Sequence, residues 1–120
     1  MNSTEVLVRR THGAVTEAAV TGDIDLHTAP DVRRAALDLV EQGHQLLILD
    51  LSEVQFCDSA GLSTLIVIWH AARDAGGRLS LVGVPETLMG VLSLTGVDTI
   101  MAIHPTVQAA LADIPGAGTP

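Results

Sequence analysis

Apolar residues recur in this chain at two alternating spacings, one suited to strands and one to helices. Glu5 to Arg10 and Ala14 to Thr21 are short runs rich in Val and Thr on either side of Thr11-His12-Gly13. That pattern predicts two antiparallel strands joined as a hairpin. Gly22 to His27 then leaves the sheet. Thr28 is placed to cap a helix, Pro30 suits its first turn, and Asp31 faces the positive end of its dipole. Val32, Ala35, Ala36, Leu39 and Val40 follow at helical spacing as far as Gly43. Leu46 to Leu49 is wholly apolar, which predicts a central strand covered on both faces. Asp50 to Asp58 leads into a second helix beginning at Ser59, with Leu62, Leu65, Ile66 and Trp69 inward and Gly76-Gly77 at its end. Leu79 to Val82 reads as the next strand. Pro85 opens a third helix with Leu88, Val91 and Leu92 inward, stopping near Gly96. Thr99 to Ile103 and Pro105 to Asp113 complete the series as a strand and a helix, the latter with Val107, Ala110 and Leu111 inward.

The order ββαβαβαβα predicts an α/β domain: a mixed, mostly parallel sheet with an N-terminal hairpin and about four helices. The domain is expected to span residues 1–114, with Pro115 to Pro120 as a frayed tail.

Composition narrows the function classes. A chain of 120 residues makes one domain with a real core. Its longest apolar run, Leu65 to Trp69, is far short of the ~20 residues of a membrane span. Met1 to Glu5 has neither the basic start nor the apolar stretch of a signal peptide, so a cytoplasmic location is expected. Fourteen acidic residues against 6 basic ones give a formal charge of −8, which disfavours nucleic acid and anionic membrane as partners. Phe56 and Trp69 are the only aromatic residues, too few for a base-stacking platform. Cys57 stands alone, which excludes an internal disulfide and a cysteine-based zinc cluster. His12, His27, His44, His70 and His104 are scattered without ligand spacing, so neither a metal nor another cofactor is expected. There is no phosphate-binding glycine loop and no Ser-His-Asp arrangement, and nothing favours an enzyme.

The segment Asp50 to Leu62 carries the sharpest chemistry. It reads as a buried strand, a polar loop and a helix capped by Ser59. Unpaired backbone N–H groups there would point outward with the positive end of the dipole. The serine hydroxyl would be exposed, and the small Ala60 and Gly61 would leave its approach open. An isolated Asp-Ser pair most often does no more than cap a helix. Ser52 and Ser63 are weaker candidates for modification. The first suits a turn hydrogen bond, and the second lies one turn into the helix.

Asp50-Leu51-Ser52-Glu53-Val54 followed by Phe56-Cys57-Asp58-Ser59-Ala60-Gly61-Leu62 resembles the signature of the STAS-domain anti-sigma factor antagonists of bacteria. Gly22-Asp23-Ile24-Asp25-Leu26-His27-Thr28-Ala29-Pro30 resembles that family's loop from strand two into helix one. Gly76 to Gly83 resembles its glycine-rich turn, and Leu92 to Val97 its helix-three ending. The resemblance as a whole runs from about Glu5 to Ala112, with these stretches in the family's order and spacing. The resemblance implies an unphosphorylated antagonist that binds an anti-sigma factor, itself a serine kinase, and so frees a sigma factor. The kinase would phosphorylate Ser59 to end binding, and a metal-dependent PP2C-type phosphatase would restore it. Asp58 matches the family's adjacent acid and Asp25 the acid of the neighbouring loop. A partner face of Asp23, Asp25, His27, Asp58, Ser59, Ala60, Gly61 and Leu62 is therefore expected. Cys57 departs mildly, standing where the family more often has Met. A second reading is a STAS subunit bracing a lipid or solute transporter. Such domains commonly depart from the serine motif, which favours the regulator. A nucleotide enzyme would rest on the helix start alone.

Overall fold

The first reversal depends on Gly13, whose φ of 62° lets Glu5–His12 (β1) fold back antiparallel on Val15–Thr21 (β2). The structure, a computed structural model, describes residues 4–44 and 46–114. The expected tail from Pro115 to Pro120 lies outside the described residues. After the hairpin come α1 (Ala29–Glu41), β3 (Leu46–Glu53), α2 (Ser59–Asp74), β4 (Arg78–Val82), α3 (Glu86–Thr95), a 3-10 turn (Val97–Thr99), β5 (Ala102–His104) and α4 (Val107–Ala112). The strands lie in sequence order, β1-β2-β3-β4-β5, with every pairing after the hairpin parallel.

Alternation along the strands divides the core. Ala18 and Val20 of β2, Leu47, Leu49 and Leu51 of β3, and Leu79 and Leu81 of β4 face one side. There they meet Val32, Ala36 and Val40 of α1, Leu65, Ile68 and Ala72 of α2, and Leu88 and Leu92 of α3. The opposite side is smaller: Val15, Ile48 and Val82 pack under Ala110 of α4 and Ile114. β3 is thus covered on both faces, as its apolar run requires.

Several expected boundaries move. β3 continues through Asp50 to Glu53, because β2 still offers it partners at Ala19 and Thr21. β5 begins later, at Ala102. Gly96, at φ 77°, turns the chain into the 3-10 turn and delays the strand. Val91 is exposed rather than inward, since α3 buries only Leu88 and Leu92 beside a three-residue edge strand. On α2 the buried line is Gly61, Thr64, Leu65, Ile68 and Ala72, with Leu62, Ile66 and Trp69 half-buried on its flanks. The shift follows from α2 packing on α1 as well as on the sheet.

Side chains close the part of the second face that α4 leaves open. The β1–β2 ladder shifts between Val8 and Arg10, and Arg9 reaches past β2 to pair with Asp50 of β3 at 3.1 Å. Glu17, buried in β2, takes His12 at 2.9 Å and Arg10 at 3.7 Å. Ser80, fully buried in β4, is the exception: its hydroxyl finds no hydrogen-bond partner among the described residues. An unsatisfied buried hydroxyl costs stability. Ser80→Ala is therefore expected to leave the urea midpoint unchanged or raise it, by up to ~1 kcal/mol of stability. A clear fall in the midpoint would contradict this account.

Candidate functional site

Two loops meet beyond the carboxyl ends of β2 and β3, and backbone bonds hold them edge to edge. The Ile24 N–H donates to the Phe56 carbonyl at 2.9 Å, and the Asp58 N–H to the Ile24 carbonyl at 3.2 Å. Ile24 and Cys57 thereby form a short parallel bridge. The loop 23–28 is braced from within. Asp25 Oδ1 accepts from the N–H groups of His27 (2.9 Å) and Thr28 (3.0 Å). Thr28 precedes α1 but makes no side-chain cap for it. Its hydroxyl turns back, donating to the Asp23 carbonyl at 2.8 Å and accepting from the Asp25 N–H at 2.9 Å. Thr4 also donates to the Asp23 carbonyl. The Thr28 N–H, with a smaller contribution from that of His27, holds the Asp25 carboxyl below its ordinary range, against a partial desolvation penalty. This support for the loop is present above the ordinary carboxylate range and fades as pH falls through the lowered value.

Asp58, not Ser59, caps α2. Its Oδ1 accepts from the N–H groups of Ala60 (2.9 Å) and Gly61 (3.1 Å), while Oδ2 accepts from the Leu26 N–H at 3.3 Å. Its own carbonyl takes the Leu62 N–H. Asp58 thus ties the helix end to the neighbouring loop, so the N–H groups of Ala60, Gly61 and Leu62, expected to point outward unpaired, are already engaged. Ser59 occupies the first helical position instead, exposed, with no side-chain hydrogen bond among the described residues.

The structure brings Asp23, Asp25, Asp58, Ser59 and Ala60 to one end of the sheet, with His27 exposed beside them. Gly61 and Leu62 are turned to packing. A Cβ on buried Gly61 would lie 2.5 Å from Cys57 Sγ and 2.6 Å from the Ile24 carbonyl oxygen, so only glycine lets α2 sit this close. Ser52 is exposed in β3, its N–H donating to Asp50 Oδ1, and Ser63 is exposed one turn into α2. The sequence reading missed two large apolar side chains standing out beside the acids: Leu26, 71% exposed, and Phe56, 55% exposed. Lone apolar residues inside polar loops were the available signal. Between α1 and α2 runs a groove of about 210 Å³, lined by Leu26, Pro30, Arg33, Ala60, Ser63 and Val67 among others. A larger hollow of about 680 Å³ lies beside the amino end of β4, away from Ser59, and its cations are engaged locally. Arg78 pairs with Asp113 at 2.6 Å, and Arg73 lies over the Trp69 ring at 5.3 Å. Among the described residues no group of three or more His, Cys, Asp or Glu is placed to hold a metal ion. No described helix is long and apolar enough to cross a membrane.

This architecture, with its paired loops at the start of α2, is that of a STAS domain. The STAS domain family model matches residues 7–110, and the chain belongs to that family. Its relatives include the anti-sigma-B factor antagonist of Bacillus subtilis, 33% identical over 70% of this chain and 76% of the relative. The fold superposes on an anti-sigma factor antagonist from Mycobacterium paratuberculosis with a TM-score of 0.82 at 30% identity, covering 93% of this chain and 94% of the other. It also matches the fold of a Thermotoga maritima protein described as a putative anti-sigma factor antagonist, with a TM-score of 0.84 at 24% identity over 92% and 93% of the two chains.

The cap assignment separates two neighbouring substitutions. Asp58→Ala is expected to lose about 0.5–2 kcal/mol in urea denaturation, whereas Ser59→Ala should stay within ~0.5 kcal/mol of wild type. Equal losses for both would contradict the assignment. Cys57 gives a second test. Burial, aided by the Asp58 charge, pushes its thiol up to about 11. In native protein at pH 8 its alkylation should be at least ~50-fold slower than in urea, because only the thiolate reacts. The unfolded chain also releases this proton first, so the thiol's contribution to stability should fall as pH rises from about 9 to about 11. Equal alkylation rates in native and unfolded protein would refute the raised value.

Proposed function

We propose that this STAS domain is an anti-sigma factor antagonist, that it works by binding rather than by catalysis, and that phosphorylation of Ser59 switches it off. The partner is an anti-sigma factor with serine-kinase activity, and a PP2C-type phosphatase resets the switch. The observation that carries this reading is the position of Ser59: exposed, outside the hydrogen bonds that hold the site, and adjacent to the one carboxylate that organises it. A phosphate there adds about 1.5–2 negative charges to a surface already bearing Asp58, Asp25 and Asp23. It breaks no bond in the domain, yet a partner fitted to a neutral hydroxyl must now desolvate a dianion. The names of the curated relatives support the antagonist role, and the intact Asp58-Ser59 pair favours it over a transporter subunit.

The test is calorimetric titration of the cognate anti-sigma factor with wild type, Ser59→Ala and Ser59→Asp. Ser59→Ala should bind like wild type and resist release by ATP. Ser59→Asp should bind at least ~10-fold more weakly with unchanged circular dichroism, a loss of ~1.4 kcal/mol. Peptide mapping after incubation with the kinase should place phosphate on Ser59 and leave Ser52 and Ser63 unmodified. Phosphate on another residue, or undiminished binding by the phosphorylated protein, would overturn the proposal.

A further inference from the structure

Most of its own helix end is closed to a phosphate on Ser59. The N–H groups of Ala60 and Gly61 are held by Asp58 Oδ1, and that of Leu62 by the Asp58 carbonyl. Its own loops bring the carboxylates of Asp58, Asp25 and Asp23 to this end of the sheet, with the exposed imidazole of His27 beside them. A new dianion in this setting draws the cation within reach that is least engaged elsewhere.

All six basic residues of the chain are arginines. Arg9, Arg10 and Arg78 pair with Asp50, Glu17 and Asp113, and Arg73 lies over Trp69. Arg34 is exposed on α1 and does not line the groove that Ala60, next to Ser59, helps to form. Arg33 does line it, opposite Ala60 and Ser63, and has no ion pair among the described residues. Pro30 and Ala60 each stand second in their helix, and Arg33 and Ser63 each fifth. Along α2, Ser59 lies about 6 Å nearer the helix start than Ser63, which shares the groove with Arg33. Side chains on a helix lean toward its N-terminus, so the long Arg33 stem leads toward the height of Ser59.

We propose that Arg33 is an internal latch for phosphorylated Ser59: its guanidinium pairs with the phosphate, and its stem lies across the groove between α1 and α2. This rests on reading Ser59 as the phosphorylated serine. The latch gives phosphorylation a second effect. The aliphatic stem covers apolar wall formed by Leu26, Ala29 and Val67, so the partner meets a closed groove as well as an added charge.

Phosphoserine incorporated at position 59 during translation tests the latch without any kinase. A guanidinium beside the phosphate favours its dianion and lowers its second pKa, ordinarily near 6. In ³¹P NMR titrations at low salt, carried out in a His27→Gln background so that the neighbouring imidazole does not contribute, Arg33→Gln should raise the midpoint by roughly 0.5 pH units, while Arg34→Gln leaves it unchanged. The Arg33 Nε–H signal of phosphorylated wild type should shift relative to the unmodified protein. Midpoints equal with and without Arg33→Gln, and an unmoved Arg33 signal, would overturn the latch. So would a shift produced by Arg34→Gln and not by Arg33→Gln. Failure here leaves the functional proposal standing, because that depends on partner titration and on where the kinase places phosphate.

Discussion

The Asp58 carboxylate is the interaction on which the rest of the site depends. A helix start exposes N–H groups that must be satisfied, and a loop leaving a parallel sheet must be fixed to something. Asp58 meets both needs: one oxygen serves the N–H groups of Ala60 and Gly61, the other that of Leu26. The Ile24–Phe56 and Asp58–Ile24 backbone bonds and the absent side chain of Gly61 bring the loops close enough for this. Holding the surface and, on the proposed reading, carrying the signal therefore fall to neighbouring residues. Asp58 is committed to structure, and Ser59 is free of it.

That separation is what the proposed modification of Ser59 would exploit, since the backbone of the site does not depend on that residue. The hydroxyl of Ser59 makes no side-chain hydrogen bond among the described residues, so a phosphate placed there would change the contact face and leave the fold intact. Around it the surface combines acids with exposed Leu26 and Phe56. Protruding apolar groups ringed by charge suit an interface in which a few buried anchors supply the affinity and the charges set partner and approach.

Much of this was legible in the sequence. The order of elements, the hairpin, the doubly covered β3 and the placement of Ser59 at the start of α2 followed from spacing and punctuation. What was not legible has identifiable causes. Asp58 and Ser59 are adjacent residues of nearly equal capping preference, and the choice between them is made by the Leu26 N–H, 32 positions away in the chain. Thr28 has the right place for a cap, yet Asp23 and Asp25 compete for its hydroxyl. Val91 has the right period for burial, but α3 sits where the sheet is running out. Leu26 and Phe56 look like ordinary loop residues until both loops are folded.

The irregularity in β1 has a consequence of a different kind. An edge strand offers a free row of backbone donors and acceptors to any other strand, which makes open sheets prone to joining one another. Here the outer strand changes register between Val8 and Arg10, and consecutive arginines stand at the break. A second strand laid along it would lose alignment at the kink and meet clustered positive charge, while Arg9 is already drawn inward to Asp50. Exposed Leu7 and Val8 on this strand are thereby shielded from becoming a seed for sheet-to-sheet growth. The same defect that interrupts the ladder guards this edge of the sheet.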